Sequence, residues 1–161
     1  MKKQKGFSLI ELLIVVAIIL IIAAIAIPNL LRSRMAANEA SAVGSLRTIN
    51  TAEVTFSTTY PTVGFAALGA LGGAANSCSG ATFASSTAAC LIDDVLATTK
   101  IKSGYTFTAT AGGGTPAVTY TSTGFPSVYG QSGQRAFCSD QSGVIRFNPG
   151  GTACANTDSA L

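Results

Sequence analysis

From Phe7 to Ile27 the only polar side chains are Ser8 and Glu11. A bilayer core takes about 20 apolar residues in helical form, so this stretch is long enough to cross one. Glu11 is then an anomaly. An ionised side chain at the centre of a membrane helix costs about 3 kcal/mol on insertion scales, so an acid there calls for a partner and a role. The six residues ahead of it, MKKQKG, are short, basic and end in glycine. An ordinary secretory signal carries its small-residue cleavage site after the apolar region. Here the small residue precedes it, so cleavage after Gly6 would keep the apolar helix and make Phe7 the new amino terminus. Lys2, Lys3 and Lys5 before the run, against Arg32 and Arg34 after it, favour a cytoplasmic amino terminus.

Pro28 follows the run, where its ring removes a backbone N–H and predicts a kink or local break before the helix resumes. Val43, Leu46, Ile49, Ala52, Phe56 and Tyr60 then recur at three- and four-residue intervals. That spacing predicts one buried stripe of an amphipathic helix, with Glu39, Arg47, Asn50 and Thr51 elsewhere around it, ending at Tyr60-Pro61. Residues 61–90, rich in Gly, Ala and Ser without a sustained period, read as an irregular loop. CLIDDVLATTK reads as a short helix burying Leu91, Ile92, Val95 and Leu96. Tyr105, Phe107 and Ala109 alternate with threonines, as do Val118 and Tyr120, across a turn containing GGG, which predicts a hairpin. A second hairpin is predicted where RAFCS and VIRF flank DQSG, whose Asp140, Ser142 and Gly143 are turn formers. The expected fold is α+β: a long amino-terminal helix packed on a roughly four-stranded antiparallel sheet. The expected divisions are a leader at 1–6, an apolar helix at 7–29 and a head domain at 30–161.

Four cysteines, Cys78, Cys90, Cys138 and Cys154, contain no CxxC pair, and the chain has no histidine. A mixed zinc site and a Cys/His dyad are therefore excluded, and no metal ligands are assigned. An even cysteine number beyond a membrane segment reads as two disulfides made in an oxidising compartment. Three pairings are open. Cys78 with Cys90 and Cys138 with Cys154 is favoured, because each closes a short Gly-, Ser-, Asn- and Ala-rich loop at about 3 kcal/mol per bridge. Asp93 and Asp94 read as capping charges at a helix start, with a calcium site the weaker alternative. The net charge of +3 is scattered rather than gathered on a basic face, so no sequence-specific nucleic-acid site is expected. Without histidine, a base-activated nucleophile or a phosphate-binding glycine loop, no enzyme activity and no cofactor are expected.

The residues GFSLIELLIVVAIILIIAAIAIPNL resemble, nearly position for position, the amino terminus of type IV pilins and their pseudopilin relatives, prepilins with a class III leader. The resemblance implies cleavage by a prepilin peptidase between Gly6 and Phe7, N-methylation of Phe7, and stacking of subunits into a filament by helix packing. It implies that Glu11 meets the Phe7 ammonium of its own or a neighbouring chain and acts as a register pin. Pro28 becomes a kink that lets the anchor leave the membrane at an angle, or a point where the helix unwinds to make a filament extensible. The implied partners are copies of this chain and other pilins, the peptidase and methyltransferase, an inner-membrane platform protein and a cytoplasmic assembly ATPase. The implied location is a single-pass inner-membrane protein with a periplasmic head, and an extracellular filament after assembly. The roles of such rods are motility, adhesion or DNA uptake. The alternatives are a pseudopilin of type II secretion and a membrane-tethered binding module.

Overall fold

The computed structural model describes residues 7–73, 78 and 84–161. Helix α1 spans Leu9–Thr59 without interruption at Pro28. Its first part is dense in β-branched Ile and Val, which are indifferent helix formers in water. In lipid the helix is still the favoured form, because it pairs its backbone polar groups within one segment. The chain divides into two compact units, one ending at Arg34 and the other spanning Met35–Leu161.

Within the second unit, α1 stops where the sequence predicts. Pro61 disfavours helical geometry at Tyr60, whose N–H makes the helix's closing bond to the Phe56 carbonyl. The chain turns back at Gly64, where φ is +82° and a Cβ would lie 2.1 Å from the Ala117 carbonyl oxygen. Only glycine fits that position. Phe65 N–H then donates to Ala117 O and Ala117 N–H to Val63 O, at 3.0 and 2.8 Å.

The sheet has six antiparallel strands in sequential order: β1 (Ile101–Lys102), β2 (Tyr105–Ala111), β3 (Tyr120–Pro126), β4 (Ala136–Asp140), β5 (Arg146–Asn148) and β6 (Ser159–Ala160). The two expected hairpins are β2–β3 and β4–β5. The count exceeds four because two-residue strands line both edges, too short to leave an alternating pattern in the sequence. Val118, expected to alternate inward, lies instead in the β2–β3 connection and is exposed, because β3 begins at Tyr120.

The core forms where the stripe of α1 meets the sheet. Leu46, Ile49 and Phe56 pack with Tyr105, Phe107 and Phe137, and Leu68, Leu71 and Leu96 close the far side. Leu68 and Leu71 belong to a one-turn helix, α2 (Leu68–Gly72), inside the stretch expected to be irregular. Five residues are too few to show a helical period. CLIDDVLATTK contains a π-helical turn, Val95–Thr99, that buries Leu96 and Ala97 but leaves Val95 exposed. Asp93 Oδ1 accepts the Leu96 N–H at 2.8 Å, which starts the turn after Asp93 and rotates Val95 outward. Lys102 Nζ pairs with Asp93 Oδ2 at 2.7 Å and, more than any other contact, holds that carboxyl below its ordinary range.

The largest departure from expectation concerns the polar residues of α1. Glu39 and Asn50 lie on the buried face, together with Ser45 and Glu53. Glu39 Oε1 accepts the N–H groups of Gln134 and Arg135 at 2.9 and 3.1 Å, and Oε2 accepts from Arg135 Nε at 2.8 Å. The guanidinium also lies over the rings of Phe137 and Phe147. Burial pushes the Glu39 carboxyl up, but these donors outweigh it and hold it below the ordinary range. Asn50 is used from both ends: Nδ2 donates to Ser139 Oγ (2.8 Å) and Gly143 O (3.4 Å), while Oδ1 accepts from Tyr120 OH (3.1 Å) and Ser122 Oγ (3.4 Å). One amide thus ties α1 to β3, β4 and the β4–β5 turn.

All five residues of β4 are buried. Phe137 and Ser139 face α1, which places Cys138 on the opposite face by strand alternation. Its bridge to Cys154, with Cα atoms 5.6 Å apart, brings the carboxy-terminal segment against that face. The second bridge joins Cys78 to Cys90 at 5.5 Å. Both are the short-loop pairings favoured above.

Replacing Cys138 and Cys154 together by serine should lower unfolding stability by about 3 kcal/mol, read by denaturant melts of the full chain in detergent. Glu39→Ala should cost about 2 kcal/mol, because it leaves two partly buried N–H groups and a guanidinium without their acceptor. Since the Glu39 carboxyl is depressed in the folded state, its contribution is full above the ordinary carboxylate range and is lost on acidification through the folded value. Glu39→Gln should flatten that part of the acid limb in a melt series against pH.

Candidate functional site: the amino-terminal segment

Phe7 is 80% exposed, and every large apolar side chain of α1 from Leu9 to Leu31 is exposed in the isolated chain. The helix is the one segment, among the described residues, long and apolar enough to cross a membrane; its most apolar window has a mean hydropathy of 3.3. An aliphatic surface on this scale needs lipid or other protein around it. Small residues at Ala17, Ala23, Ala24 and Ala26 lower the barrier to close helix approach.

Glu11 has a local partner. Its Oε2 accepts the backbone N–H of Ser8 at 2.9 Å. Helix α1 begins at Leu9, so Ser8 is the N-cap and Glu11 the third helical position, the reach-back arm of an S-x-x-E capping box. The arrangement gives an acceptor to one of the N–H groups that every helix start leaves unpaired, and it sets a carboxylate at the positive end of the helix dipole. The signal was in plain view as Ser8-Leu9-Ile10-Glu11 directly before the apolar run. The acid that is anomalous in the middle of a membrane segment is an ordinary residue at the third position of its cap.

Pro28 lies inside the helix, where it has no N–H to offer the Ala24 carbonyl one turn earlier. Ser33 Oγ donates to the Asn29 carbonyl at 3.0 Å, a back-bond one turn beyond the proline. Gly6, the expected cleavage position, lies outside the described residues. The four cysteines and Asp93 lie in the second unit. Among the described residues no three His, Cys, Asp or Glu side chains gather where they could hold a metal ion.

Residues 1–27 match the family described as the prokaryotic N-terminal methylation motif. Over 39 residues the chain is 64% identical to the type IV wide pilus major component PilA4 of Thermus thermophilus, covering 24% of this chain and 30% of that protein. Over 54 residues it is 46% identical to the type IV major pilin protein PilA of Myxococcus xanthus, covering 34% of this chain and 24% of that protein. The chain thus spans less than a third of the length of either relative. No solved structure matches it. The methylation motif and the partial likeness to two type IV pilins support a type IV pilin.

Proposed function

We propose that this chain is a structural subunit of a type IV pilus, cut between Gly6 and Phe7, methylated on the Phe7 nitrogen, and polymerised through its amino-terminal helix with copies of itself and other pilins. The observation that carries the reading is the exposed aliphatic surface of α1 from Leu9 to Leu31 with one capped acid, Glu11, at its start. Residues 1–6 are the leader, 7–29 the membrane and filament-core helix, and 30–161 the head. Before assembly the helix sits in the inner membrane with the head in the periplasm; after assembly it lies in an extracellular fibre used in motility, adhesion or DNA uptake. A peptidase and methyltransferase, a platform protein and an assembly ATPase supply the processing and the work.

Glu11 serves two stages. In the single subunit its carboxylate caps the helix through the Ser8 N–H, which lowers the cost of keeping it in a membrane. In the filament it meets the Phe7 ammonium of a neighbouring chain. A buried ion pair of this kind selects register by penalising every alignment that leaves one charge alone, more than by adding net stability. At Pro28 the missing hydrogen bond makes a place where the helix can bend or unwind.

Intact-mass spectrometry of fibres sheared from the source cells, with and without reductant, tests the reading. The expected result is an abundant chain beginning at methylated Phe7 and carrying two disulfides. A processed chain confined to the membrane, with fibres built of something else, would point instead to a minor pilin or a secretion pseudopilin. Glu11→Val should abolish fibres while leaving membrane insertion intact; normal fibre yield would remove the register role.

A further inference from the structure

Glu39 and Glu53 lie on the same buried face of α1 and are treated in opposite ways. Glu39 receives three donors, one of them a guanidinium. Glu53 has no solvent exposure at all. Among the described residues its Oε2 accepts one bond, from the Ala66 N–H at 3.0 Å, and its Oε1 is buried without a hydrogen-bond partner. Neither ion pair among the described residues includes it.

Among the described residues, the groups around Glu53 offer a carboxylate nothing else. On α1 its polar neighbour one turn earlier is the neutral Asn50, whose own bonds go to the sheet, and Arg47 lies on the exposed side. The covering segment, residues 64–68, is Gly-Phe-Ala-Ala-Leu and has no titratable side chain. From β3 comes the Tyr120 phenol, and behind it Asp140 at the end of β4. Burial first, then the charges of Glu53 and Asp140, push that phenol up to about 12, so it stays neutral and cannot balance a carboxylate. The Asp140 carboxyl is held below its ordinary range, chiefly by Ser142, and so brings no proton or positive charge to the site. Burial pushes the Glu53 carboxyl up to about 7 against the opposing Ala66 N–H.

We propose that Glu53 is a proton-operated latch of the head: as the neutral acid it holds residues 64–68 against α1, and on losing its proton it releases them. An ionised carboxylate with one donor in an apolar setting must reach water. The segment that covers it also buries Ala66 and Leu68 in the core. It is held by the Ala66 N–H, the backbone bonds to Ala117 and the contact of the Phe65 and Tyr120 rings, with centroids 4.8 Å apart. Helix α2, which follows directly, would loosen with it. The direction is opposite to that of Glu39. A carboxyl raised in the folded state gives its full contribution below the ordinary carboxylate range, and that contribution is lost as pH rises through about 7.

The test is hydrogen exchange of the full chain in detergent micelles between pH 5.5 and 8, corrected for intrinsic exchange. In the wild type, protection over residues 64–72 should fall by about tenfold or more on going to pH 8, as linkage requires for a local opening that exposes this carboxyl. Glu53→Gln keeps an acceptor for the Ala66 N–H and cannot ionise, so its protection should not change with pH. Wild-type protection that is flat across this range, or a Glu53→Gln protein that loses protection as the wild type does, would overturn the latch. Should that variant fail to fold, the carboxyl 13C shift of wild-type Glu53 decides: a midpoint near neutrality supports the latch, and one in the ordinary carboxylate range overturns it.

Discussion

The head depends on one contact, the burial of Leu46, Ile49 and Phe56 against Tyr105, Phe107 and Phe137. Neither surface could keep its form alone. A helix of this length gains most of its stability in water from packing an apolar stripe, and strands as short as β1 and β6 persist only as edges of a sheet already folded against something. The two disulfides sit around this contact rather than within it. One ties the segment after α2 to the start of the loop leading to the π-helical turn, and the other covers the far face of β4.

Into this contact the chain places polar groups that would be expensive if left unpaired. Asn50 resolves the problem by bonding at both ends of its amide, and Glu39 by meeting two N–H groups and a guanidinium stacked on aromatic rings. These bonds are directional, so they determine how α1 is rotated and shifted on the sheet, where apolar packing alone tolerates more than one arrangement. Glu53 is the exception in the set, and its imbalance is what makes it a candidate for a response to pH.

The two parts of α1 solve different problems with the same backbone. From Leu9 to Ile27 the side chains are apolar on every side apart from one acid at the helix start, where the N–H of Ser8 can use it. From Glu39 to Phe56 the side chains divide by face, and the acids lie at the core because specific donors on the 132–135 loop and the 64–66 turn come to meet them. A carboxylate is tolerated in each case where backbone N–H groups converge on it.

Much of this was legible in the chain itself. The membrane-length run, the stripe from Val43 to Phe56, the end at Tyr60-Pro61, the two hairpins and the short-loop disulfides all rest on local rules of spacing, turn chemistry and proline geometry. Glu39, Asn50 and Glu53 stand at stripe spacing too, at steps of three and four from Val43, Leu46 and Phe56, yet the polarity of Glu39 and Asn50 argued for the surface. What places them inside is the set of donors and acceptors supplied by Ala66, Tyr120, Gln134, Arg135 and Ser139, which are brought near only when the sheet closes on the helix. Likewise α2, the edge strands and the outward turn of Val95 depend on tertiary neighbours, because two to five residues are too few to carry a period of their own. The sequence by itself determined where the chain is apolar and where it turns. Only the tertiary structure decided which polar groups are buried, since a buried polar atom is stable according to partners that lie far away along the chain.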